Sequence, residues 1–338
     1  MSAIKSNLKV SLIGGGSWGT TVASLVCRNA RVTLWARNPD TVTEINEKHS
    51  NEAYLPGATL PGRLTATNSI SEAASAADVI VMGIPSHNFR AVLEEVKLHI
   101  RPWVPIITLT KGLELKSGMR MTEVINEVLP GHPAGVLTGP NLAREIMAGQ
   151  AAASVIAMED PVIMNELQIL FNSGLFRVYT NHDIIGCELG GVLKNIIAIA
   201  VGMGDGQGAG DNTRSALITR GLAEVTRLGV AMGGRAETFA GLTGMGDMIA
   251  TCTSDQSRNR YVGVELGKGR EMKDITAEMH MVAEGAKSAA AVIALAEKYN
   301  VEMPIAQDVH RVVSGQSSAR RAFKGLLRVA AGAEHEPG

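Results

Sequence analysis

Aromatic side chains are scarce in this sequence: five Phe, four Tyr and three Trp make up 4% of 338 residues. Ala, Val, Ile, Leu, Met and Gly must therefore fill the interior, which suits a close-packed α/β or helical core. Charge of one sign is also missing, since 32 Lys and Arg against 33 Asp and Glu leave a net −1. That balance offers no basic surface for nucleic acid and no acidic tail for a partner. The three cysteines, Cys27, Cys187 and Cys252, have no C-x-x-C spacing. That argues against a disulfide framework or a structural zinc site, and a reducing cytoplasm fits better. No apolar run reaches the roughly 18–20 residues that span a bilayer. The first seven residues lack the apolar core and small-residue cleavage site of a secretory signal. The expectation is a soluble, cytoplasmic protein without membrane insertion.

What is abundant is glycine, at 37 residues, and short apolar runs in the first half. Lys9–Ile13, Arg31–Trp35, Val79–Gly83, Val104–Thr110, Gly135–Thr138 and Ser154–Ala157 read as buried strands, with a further one near Leu175–Tyr179. Helical segments such as Thr20–Asn29 and Asn88–Ile100 separate them. Continuous apolar strands alternating with helices signal a mostly parallel sheet covered on both faces. After Asn181 the pattern becomes helical, in Cys187–Met203, Thr213–Met232, Ala286–Tyr299 and Pro304–Ser314. The reading is a Rossmann-type, doubly wound α/β domain over 1–183, an all-α domain over 184–330, and a frayed tail over 331–338.

The first strand runs directly into Gly14-Gly-Gly16-Ser-Trp-Gly19 and then an Ala/Val/Leu helix. Gly14, Gly16 and Gly19 form G-x-G-x-x-G in the strand–turn–helix context of a dinucleotide site. One glycine makes the turn, the next admits the pyrophosphate, and the third lets helix and strand pack. The second strand ends Trp35-Ala-Arg37-Asn38, with no carboxylate where a ribose 2′-hydroxyl would be bound. Arg37 suits a 2′-phosphate, so NADP(H) is favoured, with Asp40 leaving NAD(H) usable.

Polar residues recur where strands and helices end. Lys111 follows one strand and Thr138-Gly139-Pro140-Asn141-Leu-Ala143 the next, at the carboxyl ends where doubly wound sheets bind ligands. Lys194 lies within Glu188-Leu-Gly-Gly-Val-Leu-Lys-Asn195, on a stripe with Cys187, Gly190, Gly191, Ile197, Ala198 and Val201. An unpaired ammonium there is costly, so it either reaches water or borders a cavity and serves chemistry in it. Asp247 and Thr251 stand four residues apart on one helical face, although Asp247 alone also suits an N-cap. Ser257-Arg258-Asn259-Arg260 suits a phosphate grip or an ordinary solvated loop. The Gly202–Gly210 stretch lets backbone approach closely or forms a floppy interhelical loop.

With these motifs the chain resembles NAD(P)-dependent glycerol-3-phosphate dehydrogenases of the bacterial sn-glycerol-3-phosphate type, along almost its whole length. The carriers are residues 14–19, Lys111-Gly112, Gly139-Pro140, Glu188–Asn195, Gly246-Asp247, Ser257–Arg260 and Val282-Ala-Glu284-Gly285. The resemblance implies that Ser17 and Trp18 line the cofactor diphosphate and that Arg37 meets the adenosine end. Lys111, Ala143, Arg258, Val282 and Glu284 then lie along the cofactor. Lys111, Gly139, Asn141, Asp247, Ser257, Arg258 and Asn259 would surround the substrate. At Asn141 bacterial relatives often carry Ser or Thr.

Lys194 matches the family's proton donor and acceptor, oriented by Asp247 and Asn195 with Thr251 in support, and Lys111 shares the catalytic set. Burial among small residues favours its neutral form. The implied reaction is reversible reduction of dihydroxyacetone phosphate to sn-glycerol 3-phosphate, feeding phospholipid synthesis, by a homodimer. Two rival readings are a related 2- or 3-hydroxyacid dehydrogenase with a catalytic lysine and a non-catalytic NADP(H) sensor.

Overall fold

A computed structural model describes residues 7–279 and 283–326. Their contacts divide into two compact units. The described residues up to Glu114, with Met119–Ile184, form the first; Leu115–Gly118 and the residues from Ile185 on form the second.

The first unit begins β1 (Lys9–Ile13), α1 (Ser17–Val26), β2 (Arg31–Trp35), α2 (Pro39–Lys48), β3 (Thr65–Thr67), α3 (Ile70–Ser75), β4 (Val79–Met82) and α4 (Ser86–Lys97). It continues β5 (Ile106–Thr108), α5 (Met121–Val128), β6 (Ala134–Thr138), α6 (Ala143–Met147), β7 (Ala152–Met158), α7 (Pro161–Phe171) and β8 (Phe176–Asn181). The strands make one sheet in the order β3-β2-β1-β4-β5-β6-β7-β8. Neighbours run parallel except β6 and β7, where Val136 faces Ala157 in an antiparallel register.

Successive side chains of a strand point to opposite faces, which is why β4 is apolar throughout. Val81 joins Leu12, Ile107 and Leu137 against Val22 and Val26 of α1 and Leu167 and Phe171 of α7. Ile80 and Met82 join Ile13 and Ile106 against Phe89 and Leu93 of α4 and Ile125 of α5. The sheet therefore carries helices on both faces. Strand β3 was not foreseen, because its three residues, Thr-Ala-Thr, contain no apolar run.

The second unit is helical: α8 (Ile184–Gly206), α9 (Asp211–Ala231), α10 (Ala236–Phe239), a π-helical turn (Leu242–Gly246), α11 (Asp247–Thr253) and α12 (Arg258–Gly267). It ends with α13 (Met272–Glu278), α14 (Glu284–Lys298), α15 (Pro304–Val313) and α16 (Ala319–Leu326).

One expectation needs correction here. Helix α8 is long and apolar enough to cross a membrane by length and composition, with mean hydropathy 1.8 over 18 residues. The apolar-run reading stopped at Glu188 and Lys194, yet two charges leave the average high. Of that window 89% is buried inside the protein, so α8 is the core helix of its unit. Of the two readings of Gly202–Gly210, close backbone approach holds for Gly202–Gly206, which continues α8 in close contact with α12. The expected frayed tail lies outside the described residues.

Candidate active site

At the glycine-rich turn, Gly14 adopts φ +126°, which an L side chain rarely takes. Its N–H donates to the Trp35 carbonyl at 3.0 Å, tying the turn to β2. A side chain on Gly19 would strike the Gly14 carbonyl oxygen, so α1 can start this close to β1 only with glycine there. Gly16 is the N-cap of α1 and offers no side-chain bond to its first N–H groups. A Cβ on Gly16 would meet no atom within 4 Å. An uncapped helix N-terminus facing open space at this turn fits a dinucleotide pyrophosphate. Ser17 donates to the Tyr54 carbonyl at 3.0 Å. Trp18 packs tilted against Phe176, and its indole N–H has no partner among the described residues. Arg37 is exposed just beyond β2.

Lys111 lies just past the carboxyl end of β5, and its Nζ donates to the Gly139 carbonyl at 2.7 Å. Gly139 follows β6 at φ +137°. Ser154 Oγ on β7 directs its proton toward Asn141 Oδ1 at 2.9 Å and the Thr138 carbonyl at 3.1 Å. Asn141 Nδ2 and Thr138 Oγ1 are buried without a partner among the described residues. Orphaned buried polar atoms need a reason, and a polar ligand beside this turn supplies one. Ala143 begins α6 and is half-buried.

In the second unit Lys194 is 4% exposed. No partner appears near it in sequence because its partner comes 53 residues later: Nζ meets Asp247 Oδ1 at 2.6 Å. Nζ also donates to Thr251 Oγ1, whose own proton goes to the Asp247 carbonyl at 2.7 Å. Asp247 is not the N-cap of α11, a place Gly246 holds; it is the first helical residue and turns inward. Two features set this approach. The π-helical turn directly precedes Asp247, and Gly190, one turn before Lys194, packs against the turn's backbone at Thr243 and Gly244. The Asp247 carboxylate compensates the ammonium's lost hydration, as a buried charge requires.

Asn195 and Asn259 are joined by an Nδ2-to-Oδ1 bond of 3.0 Å, and the Gly285 N–H donates to Asn259 Oδ1 at 3.0 Å. Asn259 thus uses one amide N–H and its carbonyl oxygen to link α8, α12 and the start of α14. Ser257 is the N-cap of α12, accepting from the Arg260 N–H at 3.2 Å. Arg258 exposes its side chain. Protein crowding lowers its pKa and the Glu284 carboxylate opposes that shift. The exposed surface, rather than the crowding, decides that the guanidinium can meet an anion. Glu284 begins α14 and is half-buried. Val282 lies outside the described residues.

The structure therefore brings together Lys111 with Gly139, Lys194 with Asp247 and Thr251, and Asn195 with Asn259. Sequence reasoning did not single out Gly190 as a contact or Ser154 as the partner of Asn141. The glycine four residues before Lys194 was the available signal for the former; none marked Ser154. Among the described residues no group of three His, Cys, Asp or Glu could hold a metal ion.

The family model for the NAD-dependent glycerol-3-phosphate dehydrogenase N-terminus matches residues 9–164, and that for the C-terminus matches residues 183–324. A glycerol-3-phosphate dehydrogenase [NAD(P)+] 2 of Sphingopyxis alaskensis is 68% identical over 98% of this chain and 99% of that protein. A glycerol-3-phosphate dehydrogenase [NAD(P)+] 1 of Mycobacterium bovis is 50% identical over 99% of this chain and 98% of its own. The crystal structure of glycerol-3-phosphate dehydrogenase from Coxiella burnetii superimposes with a TM-score of 0.91 at 37% identity, over 96% of this chain and 99% of that one. The chain belongs to the NAD-dependent glycerol-3-phosphate dehydrogenase family.

Proposed function

We propose that this chain is an NAD(P)H-dependent oxidoreductase that reversibly reduces dihydroxyacetone phosphate to sn-glycerol 3-phosphate for phospholipid synthesis. The observation that carries it is the buried Lys194, held by Asp247 and Thr251 in a family of that activity. A nicotinamide cofactor, when bound, would supply the hydride that reduces the substrate's C2 carbonyl. Lys194 directs an N–H at the carbonyl oxygen, stabilises its growing negative charge and transfers the proton to it. The resulting neutral amine stays anchored by Asp247 and Thr251 and regains a proton from solvent. In the reverse direction the neutral amine takes the hydroxyl proton.

On the first unit, Gly14, Gly16, Ser17, Trp18 and Gly19 hold the pyrophosphate, Arg37 the adenosine 2′-phosphate, and Ala143 the length of the cofactor. Lys111, Gly139 and Asn141 face substrate. On the second unit, Ser257, Arg258 and Asn259 serve the substrate phosphate, whose binding energy fixes the carbonyl for attack. Arg258, Val282 and Glu284 also border the cofactor, and Asn195 steadies the Lys194 region. Residues 1–183 form the cofactor domain and 184–330 the substrate domain. A cytoplasmic homodimer without membrane insertion completes the proposal; the three free, buried cysteines suit a reducing compartment, and light scattering reports the mass in solution.

The direct test is steady-state reduction of dihydroxyacetone phosphate with NADPH and NADH side by side, against ketopantoate and a hydroxyisobutyrate-type acid. Turnover of dihydroxyacetone phosphate with a preference for NADPH supports the proposal. Preference for a carboxylate substrate, or no turnover, contradicts it.

A further inference from the structure

The junction of α8, α9 and α12 holds a charge cluster that the proposed chemistry leaves unused. Asp205, in the last turn of α8, receives Arg214 of α9 on Oδ1 (3.1 and 3.0 Å) and Arg260 of α12 on Oδ2 (2.8 Å). The Asp205 side chain is 8% exposed and that of Arg260 17%. Arg260 also reaches the exposed Asp255 at 2.6 Å. Arg260 follows Asn259 directly and stands two residues after Arg258.

The helices α8 and α12 touch backbone to backbone. A Cβ on Gly202 would meet the Arg260 carbonyl oxygen, and one on Gly263 would meet that of Ile199. Gly206 and Gly267 repeat the arrangement one turn on. Small residues at a crossing let helix backbones approach this closely. Two polar pairs beside the crossing also tie the helices together: Asn195 with Asn259, and Asp205 with Arg260.

The register matters because the Arg258 side chain has no hydrogen-bond partner among the described residues, while the charge of Glu284 attracts it. Its place is set by the backbone that carries it. We infer that Asp205 is a positioning residue for the phosphate grip: by anchoring Arg260 it fixes the first turn of α12, and so the place from which Arg258 and Asn259 meet the substrate phosphate. This inference rests on the proposed reduction of dihydroxyacetone phosphate. Asp205 acts through Arg260 and touches neither substrate nor cofactor.

The test compares Asp205→Asn with wild type on dihydroxyacetone phosphate and on dihydroxyacetone, which lacks the phosphate. The expected result is a KM for the phosphorylated substrate raised about tenfold with kcat changed less than about threefold. The kcat/KM for dihydroxyacetone should stay within about twofold. Arg260→Gln should reproduce this pattern, and the double variant should be no worse than either single one, as expected of one coupled pair. If Asp205→Asn does not fold, Asp205→Glu keeps the charge on a longer arm and should give an intermediate KM. An unchanged KM for the phosphorylated substrate overturns the inference. Equal loss on both substrates also overturns it, because that is a general structural effect. If wild-type protein does not reduce dihydroxyacetone phosphate, the underlying function has failed and the inference falls with it, whatever the variants do.

Discussion

Gly190 lies so close to Thr243 that a Cβ added to it would stand 2.5 Å from the Thr243 carbonyl oxygen. The obstructing atom is backbone, so something must shift, and Asp247 follows four residues later. Gly190→Ala should push the π-helical turn outward and loosen the Lys194–Asp247 pair. The expected outcome is a kcat reduced by more than about tenfold, with stability lowered by roughly 1–3 kcal/mol from overpacking. Steady-state kinetics with urea unfolding checks both.

Thr251 receives an N–H of Lys194 while giving its own proton to the Asp247 carbonyl. Thr251→Val preserves the shape and removes the acceptor, so the ammonium loses one of its anchors. A fall in kcat of about tenfold is expected, equivalent to about 1.4 kcal/mol, with Thr251→Ser largely restoring it. Equal kcat in wild type and the valine variant would remove Thr251 from the account.

Arg258 tests the phosphate grip. Arg258→Ala should raise the KM for dihydroxyacetone phosphate by roughly one to two orders of magnitude, the scale of a charge-assisted hydrogen bond. An unchanged KM would show that the phosphate is bound elsewhere.

Much of this was legible in the sequence, for definite reasons. A sheet buried on both faces leaves strands such as β4 apolar throughout, and the turn chemistry of Gly14–Gly19 is local. Lys194 stood out because its own helix gives it no counterion. The rest depends on contacts distant in sequence. Lys194 and Asp247 are 53 residues apart, and Arg260 and Asp205 are 55. The antiparallel pairing of β6 with β7 leaves no mark on composition, and the glycines of Gly202–Gly210 look alike whether they close-pack a helix or loosen a loop.

Glu224 on α9 gives a pH prediction. It is 2% exposed and accepts from the Ile305 and Ala306 N–H groups at 2.8 and 3.2 Å, at the start of α15. Burial pushes its pKa up from 4.5 to about 7, against those two bonds and the nearby Arg227 and Arg220. The folded state therefore holds the proton more tightly than the unfolded chain. The stabilisation is fully present below the unfolded value near 4.5 and is lost as pH rises through about 7. Its size is on the order of 3 kcal/mol. Unfolding free energy should thus carry a declining component between about pH 5 and about pH 8, which Glu224→Gln flattens. An identical pH slope in wild type and variant would contradict it.

The central claim is that Lys194 moves the proton, and Lys194→Ala tests it most directly. Turnover of dihydroxyacetone phosphate should fall by about a thousandfold or more, the scale of a lost general acid. NADPH affinity, followed by fluorescence titration, should stay within about twofold, because the proposed cofactor contacts are untouched. Turnover within about tenfold of wild type, at intact NADPH binding, would contradict the claim.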